Sequence, residues 1–578
     1  MSAEEVAAST PERHAIGISF GNSHSSIANT GADGKPEVIA NEEGDRQIPS
    51  ILSYVSGEEF HGTQAKAQLV RNPKNTVAYF RDFLGKDFKQ VDPTSAHASA
   101  HPQQHESTVA FSIHDSESET PNTVTVSEIT TRHIRRLASS ASEYLGYKVN
   151  AAVVTVPTDF SDKQRAALTE AAKAAGVDVL QFIHEPVAAV LAYDARPEAK
   201  VSDKIVVVAD LGGTRSDVAV IASRGGLYTI LATAHDPELG GSKLDQVLID
   251  HFAKEFVKKH KTDPRENARS LAKLKLESEA TKKALSLGTT ATLSVESLAE
   301  GIDFSATINR TRYELLSSKV FGEFRRLIET AVSKAQLDLL DIDEVILSGG
   351  SSHTPKIASV VGAAFPETTT VLAPSTSTSA INPSELAVRG ASIQASLIEG
   401  FEHEDIEQST HPVVTVAPHL NRAIGALVIS AEEHHGIFRP LLEPETAVPA
   451  RRTAQFATPK EGGDVLIKIV EAAREIHSRK PEPKPKADEK KDDDDEEDDV
   501  SDFTDSEDEE EEIREKKWKV HTVLAEAAIK ATKKGSKVEV VINVGSDLGI
   551  QITAREVGAQ GGVRGSVEKP ATAVNGSA

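Results

Sequence analysis

Val207-Val-Ala-Asp-Leu-Gly-Gly213, followed by Asp217-Val-Ala-Val-Ile221, reads as strand, tight glycine turn, strand. The apolar runs suit buried β-strands, and the paired glycines break the first of them. The same design stands near the N-terminus, where Ile16-Gly-Ile-Ser-Phe-Gly21 leads into Ser25-Ser-Ile-Ala28. Two such hairpins, one per lobe, predict two turns facing each other across a cleft. Glycine lets backbone N–H groups approach an anion closely, so both turns are candidate phosphate cradles. The chain carries neither a P-loop pattern nor a dinucleotide-binding glycine pattern after a strand.

Around these hairpins the chain alternates short apolar strands with helices. Ala151–Val156 and Ile205–Ala209 are continuous apolar runs, and Val345–Leu347 precedes a Gly349-Gly350 turn. Ser161-Asp-Lys-Gln164 is a capping box opening an Ala-rich helix that stops at Gly176. Asp263-Pro264 supplies an N-cap and N1 proline for a helix through Leu285. This is α/β architecture. Farther on, His411–Phe456 has short β runs broken by Pro and Gly. Lys537–Val544 and Ile550–Arg555 alternate apolar and polar residues around Gly545-Ser-Asp-Leu-Gly549, a half-buried antiparallel hairpin. The expected organisation is an α/β domain over 12–400, a linker over 401–410, a β domain over 411–567 and a tail over 568–578. Gly558–Gly565 is expected to be flexible.

At 578 residues the chain has room for three or four domains of roughly 150 residues each. With Lys+Arg 64 and Asp+Glu 88 the net charge is −24, which argues against direct nucleic-acid binding. The absence of Cys excludes disulfides, thiol nucleophiles and Cys-ligated zinc, and fits a reducing compartment. Residues 1–15 lack the apolar core of a signal peptide, and no run of about 18 apolar residues suggests a membrane span. Between Asp488 and Glu512 stand 18 acidic residues and two lysines, a local charge of −16 that leaves −8 for the rest. With the proline spacer Lys480–Lys486, this reads as a disordered, solvated insertion over 480–512, with Ser501 and Ser506 as conceivable phosphorylation sites. Asp92–Asn122, rich in Ser, His and Pro, is expected to be a flexible loop. Its His101-Pro-Gln-Gln-His105 is not expected to form a metal-binding helix.

Five segments, in order, resemble signatures of the 70-kDa heat-shock protein family. They are Ala151-Ala-Val-Val-Thr-Val-Pro157, Glu185-Pro-Val-Ala-Ala189, Asp210-Leu-Gly-Gly213, Leu239-Gly-Gly241 and Leu347-Ser-Gly-Gly-Ser-Ser352. The resemblance covers about residues 14–400. It implies an α/β, actin-like, two-lobed nucleotide-binding domain holding ATP, followed by a smaller antiparallel β-sandwich. Glu279, Lys282, Lys283 and Ser286 fall at i, i+3, i+4 and i+7, on one helix face. The resemblance implies that this face grips the adenosine, with Gly349, Gly350 and Ser351 covering it. It also implies that Gly21, Asn22, Ser23, Gly212, Gly213, Thr214, Arg215, Gly240 and Gly241 surround the phosphates.

Several positions depart from the family pattern. Ser19 stands for an Asp, Asn22 and Ser23 for two threonines, Arg81 for the catalytic lysine, and Thr214 and Arg215 for a Gly and a Thr. Glu185, Asp210 and Asp217 remain. Serine offers no charge to organise hydrated Mg²⁺, and the planar, permanently charged arginine does not replace lysine as a positioner of water. The expectation is ATP binding with little or no hydrolysis, no fully active catalytic residue, and Mg²⁺ left open. Arg215 or Arg81 is expected to supply positive charge near the γ-phosphate; the alternative is that Arg215 points to solvent.

Arg439–Pro449, Thr453–Thr458 and Val538–Ala554 resemble the family's β substrate-binding domain. The linker Gly400-Phe-Glu-His-Glu-Asp-Ile-Glu407 lacks the acidic–leucine motif, and 24 residues after Ala554 are too few for a helical lid. A foreshortened β domain leaves strand edges to which a partner could add a strand. The pattern resembles one atypical branch, the eukaryotic ribosome-associated complex subunit that pairs with the J-domain protein zuotin. The resemblance implies a cytoplasmic, ribosome-associated heterodimer stimulating a conventional ribosome-bound chaperone. Contact with the ribosome would be indirect, nascent chains are candidate ligands, and neither nucleic acid nor membrane is bound directly. The alternatives are an active ATP-dependent folding chaperone and a nucleotide-exchange factor of the larger relatives.

Overall fold

Two five-strand paths share one topology. The first runs Asp178–His184, Ala151–Val156, Ala15–Ser19, His24–Thr30, Pro36–Ile39, and the second Thr370–Leu372, Glu344–Ser348, Lys204–Leu211, Ser216–Arg224, Leu227–Asp236. In each, a hairpin pairs antiparallel and its first strand continues into parallel partners. The two hairpins anticipated from sequence are therefore the hinge between the antiparallel and parallel halves of two similar sheets. The computed structural model describes residues 13–91, 99–114, 121–199, 202–410, 418–428, 436–459, 461–479, 513–559 and 561–567. The chain divides into two compact units, Met1–Val416 and Ala417–Ala578. Among the described residues, no helix is long and apolar enough to cross a membrane.

The strands are apolar because helices cover them. Ala151–Val156 and Ser216–Arg224 are buried throughout, as two-sided coverage requires. Helices Glu185–Asp194 and Leu386–Ile398 pack on each other, and the latter also lies on strand Ala15–Ser19. This contact is made at backbone distance. A Cβ on Gly390 would lie 1.9 Å from the Ala188 carbonyl oxygen, and one on Gly17 would lie 2.3 Å from the Ser392 nitrogen. Each sheet has its own apolar core, and helices Gly241–His260 and Ala268–Leu287 build a third with hairpin Thr290–Asn309. This arrangement is the two-lobed, actin-like fold.

Four local expectations change. Pro102–His105 is a strand, paired with Thr108–Ile113, so part of the expected loop is sheet; residues 92–98 and 115–120 lie outside the description. The helix expected from Pro264 starts at Ala268: Asp263 caps only a 3₁₀ turn, and Asn267 accepts from the Arg269 and Ser270 amides. Residues of the expected linker form helix His403–Thr410, whose buried Ile406 joins the apolar cluster of Ala15, Leu180 and Ile183. Gly562–Val567 is a strand paired with Ile550–Glu556, because the glycines still donate and accept ladder bonds.

In the second unit two four-stranded antiparallel sheets enclose one core that includes Ile424, Leu442 and Ile469 from one sheet and Val540, Ile542 and Ile552 from the other. Lys537–Val544 buries alternate residues, as its pattern predicts. Strands Gly463–Arg479 and Ile513–Thr532 pair as far as Arg479 opposite Ile513. The proline spacer and acidic tract between them, 480–512, lie outside the described residues.

Gly390→Ala tests the backbone contact. Alanine gains about 1 kcal/mol of helix propensity over glycine, but overpacking against a fixed carbonyl costs about 1–3 kcal/mol or more. With a 1.9 Å approach the cost falls at or above the top of that range, so the net expectation is destabilisation of at least about 2 kcal/mol, read as a lower denaturation midpoint at unchanged slope.

Candidate functional site

The two hairpin turns meet. The Asn22 amide donates to the Thr214 hydroxyl at 3.2 Å, and a Cβ on Gly213 would lie 2.4 Å from Ser23 Oγ. Behind them, the Gly241 and Ser242 amides donate to the Gly212 and Gly213 carbonyls at 3.0 and 2.8 Å. These residues open the 20-residue helix Gly241–His260, which has no acid in its first turn, so the first two amides are spent on the turn while the helix dipole stays unopposed by a local carboxylate. Ser351 donates to the Gly212 carbonyl at 2.8 Å. Gly349 adopts φ +82°, and a Cβ there would lie 2.5 Å from Asp210 Oδ1. The structure thus brings Gly21, Asn22, Ser23, Gly212, Gly213, Thr214, Gly240, Gly241, Gly349 and Ser351 to one place, with Gly350 beside them.

The helix face behaves unevenly. Lys282 donates to the Gly241 carbonyl at 3.0 Å and pairs with Asp245 at 2.8 Å. Glu279 is gripped by Lys66 at 2.7 Å and Lys283 at 2.8 Å. Burial resists this charge, but the two lysines hold the Glu279 carboxyl far below its usual range. Lys66 lies on helix Gly62–Ala67, so the pair joins the two lobes. Ser286 turns its hydroxyl back to the Lys282 carbonyl at 3.2 Å.

Two guanidinium groups dominate the floor. Tyr79, at φ +58°, precedes Phe80 and Arg81, and this left-handed residue reverses the chain where Arg81 turns inward. Arg81 is 4% exposed. It donates to the Phe20 carbonyl at 3.4 Å, Glu185 at 3.3 Å and Asp82 at 2.9 Å. Arg215 grips Asp217 with two bonds of 2.8 and 2.5 Å and reaches Asp159 at 3.0 Å. It does not simply point to solvent. Asp210 and Asp217 lie opposite each other across the second hairpin. The matching strand of the first hairpin carries Ser19, 3.5 Å from the Thr155 hydroxyl.

Burial, then the neighbouring acids, push Glu185 above the usual carboxylate range against the pull of Arg81. Burial and Asp217 do the same to Asp210. Burial also raises Asp217 against Arg215. Burial works against the Arg215 charge, but Asp217, Asp82 and Asp159 together hold it above its ordinary value. The floor is therefore an acid cluster held by two arginines, with burial raising three of its carboxyls above their ordinary range.

Sequence reasoning missed Asp82, Asp159, Lys66 and Asp245. Asp82 adjoins Arg81, and Asp159 follows a parallel strand at its carboxyl end, where ligands gather in α/β sheets. Lys66 and Asp245 carry no sequence signal, since their partners lie far along the chain. Among the described residues, no group of three His, Cys, Asp or Glu is arranged to hold a metal ion.

The family model described as Hsp70 protein matches residues 15–483. The chain is 43% identical over 553 residues to the ribosome-associated complex subunit SSZ1 of Saccharomyces cerevisiae, covering 96% of this chain and 99% of that one. It is 45% identical over 557 residues to heat shock protein 70 homolog C57A7.12 of Schizosaccharomyces pombe, covering 95% of each. It is 32% identical over 465 residues to heat shock 70 kDa protein 14-B of Xenopus laevis, covering 79% of this chain and 87% of that one. With its duplicated sheets and facing glycine turns, the chain belongs to the 70-kDa heat-shock protein family.

Proposed function

We propose that this protein binds ATP between its lobes, hydrolyses it slowly or not at all, and serves as a subunit of a ribosome-associated chaperone complex. The observation that carries the reading is the pairing of Arg81 with Glu185 and of Arg215 with Asp217. A carboxyl group that is held by a guanidinium, or that burial keeps protonated, is not free to take a proton from water or to order a hydrated cation. Loss of one such group typically slows a reaction by about 10²–10⁴.

The residues present fit ATP. Gly212, Gly213, Gly240 and Gly241 keep side chains out of the way of phosphates, and the helix beginning at Gly241 adds its dipole. Glu279, Lys282, Lys283 and Ser286 would hold the adenosine, with Gly349 to Ser351 over it. Bound ATP supplies a stable polyanion joining the lobes, and the chain's own groups bind and orient it. They do not fit a protein-held Mg²⁺: Glu185 and Asp217 face arginines, and the strand end matching Asp210 carries a serine. The guanidiniums supply the positive charge at the phosphate end instead.

The similarity to a ribosome-associated complex subunit along nearly the whole chain supports the cellular reading. In it, the chain pairs with a J-domain protein resembling zuotin in the cytoplasm, reaches the ribosome through that partner, and stimulates a conventional chaperone acting on nascent chains. The second unit is then a β-sandwich whose edge strands, Ile437–Leu442 among them, accept a strand of the partner.

Three outcomes are expected. In single-turnover assays with bound nucleotide identified by chromatography, ATP stays intact for hours; hydrolysis at the rate of a conventional family member would overturn the reading. Arg81→Ala/Arg215→Ala exposes uncompensated carboxylates to the phosphates and weakens ATP binding at least about tenfold (about 1.4 kcal/mol) by calorimetry; unchanged affinity would remove the charge argument. The third concerns pH. Glu185 is pushed up to about 8 and Asp210 to about 7. The folded state therefore holds more protons than the unfolded between the ordinary carboxylate range and these values, and stability falls as pH rises through it. Melting temperature of the nucleotide-free chain should drop from pH 5 to pH 8, and Glu185→Gln should flatten the slope.

A further inference from the structure

His133, on helix Val126–Leu145, is 1% exposed and lies outside every segment discussed so far. Its ring sits 6.2 Å from that of Phe20 and edge-on to Phe80 at 5.6 Å. Phe20 precedes the first turn and Phe80 precedes Arg81, so one imidazole packs behind both walls of the site. The same ring starts a chain of hydrogen bonds: His133 Nε2 to Ser25 Oγ at 3.0 Å, Ser25 Oγ to Ser50 Oγ at 2.9 Å, and Ser50 Oγ to the Gly21 carbonyl at 2.7 Å.

The direction of this chain follows from its end. A carbonyl only accepts, so the single Ser50 hydroxyl proton goes to Gly21. Ser25 must then donate to Ser50, and it is left to accept from His133. The ring therefore carries its proton on Nε2. Among the described residues Nδ1 has no hydrogen-bond partner, which suits a bare lone pair better than an orphaned N–H. Burial, with some help from His61, pushes the imidazole down to about 3, so it stays neutral and keeps this tautomer across ordinary pH.

Ser50 also donates its own amide to the Ser23 carbonyl at 3.0 Å, and Arg81 holds the Phe20 carbonyl. In a trans peptide the carbonyl and the following N–H point in opposite directions. Carbonyls of Phe20, Gly21 and Ser23 drawn back into the lobe therefore aim the amides of Gly21, Asn22 and His24 the other way. We propose that His133 is a positioning residue for nucleotide: through Ser25 and Ser50 it fixes the peptide planes of the first turn so that their amides face the phosphates. This rests on the ATP-site reading above.

The test is calorimetric titration of ATP into the full chain and its variants, with a melting temperature for each, and ¹⁵N NMR of the histidine-labelled parent. His133→Leu keeps apolar packing but removes the donor, and should weaken ATP about tenfold, the worth of one buried hydrogen bond. His133→Gln can place an amide N–H near the Nε2 position and should recover most of that loss. Ser25→Ala should lose as much as His133→Leu, and the double variant no more than either. The NMR spectrum should show a neutral, Nε2-protonated ring between pH 5 and pH 8. Parent-like ATP affinity in a folded His133→Leu or Ser25→Ala, equal losses in the Leu and Gln variants, or an Nδ1-protonated ring would each overturn the proposal. A parent that binds no ATP would overturn the site reading and this proposal with it.

Discussion

The backbone contact of helix Leu386–Ile398 with strand Ala15–Ser19 and helix Glu185–Asp194 fixes everything above it. Two missing side chains, at Gly17 and Gly390, make it possible. Helix Glu185–Asp194 also packs on strand Lys204–Leu211 of the second sheet. One stack of close-packed backbone therefore sets the distance between the sheets, and the hairpin turns meet because their sheets are so placed. Glu185, the first residue of its helix, inherits its position against Arg81 from the same stack. A shift in this packing would move the cradle and the acid cluster together.

The acid cluster is not there for stability. Burying charges costs several kcal/mol per ion before any pairing is counted, and this cluster holds five carboxylates against two guanidiniums: Asp82, Asp159, Glu185, Asp210 and Asp217 against Arg81 and Arg215. Burial answers the excess by raising Glu185, Asp210 and Asp217 above the ordinary carboxylate range. Such an arrangement is a reservoir of negative charge held in check, next to the two glycine turns proposed to receive a polyanion. The arginines reconcile the two. Each guanidinium spans carboxylates in a fixed planar fork, which a lysine ammonium cannot do.

Much of the fold was legible because its signals are local and periodic. The apolar runs at Ala151–Val156 and Ile205–Ala209, the capping box at Ser161 and the alternation of Lys537–Val544 each specify an element without reference to the rest of the chain. The glycines of the cradle were legible for the same reason. What escaped was decided elsewhere. Asn267, with two amides to cap, outcompeted Asp263-Pro264 as a helix start. Pro102–His105 became a strand because Thr108–Ile113 offered it an edge. The roles of Arg81 and Arg215 depend on Asp82, Asp159 and Glu185, and only Asp82 lies beside its partner in sequence. Lys66 and Glu279 come together from opposite lobes, and no short window contains both.

The hairpin Gly463–Arg479 with Ile513–Thr532 has a consequence of its own. Its ladder runs to Arg479 opposite Ile513, and neighbouring strands lie about 4.8 Å apart. The described chain therefore stops and resumes at two points one strand spacing apart. Closing a loop across such a gap costs little more as the loop lengthens, about 0.6 kcal/mol for each doubling. The length of any flexible connection between those points is thus nearly decoupled from the stability of the sheet. Residues can be added or lost at this tip on a scale that would be ruinous in the cradle, which makes it a natural port for a label, a tether or a new charge pattern.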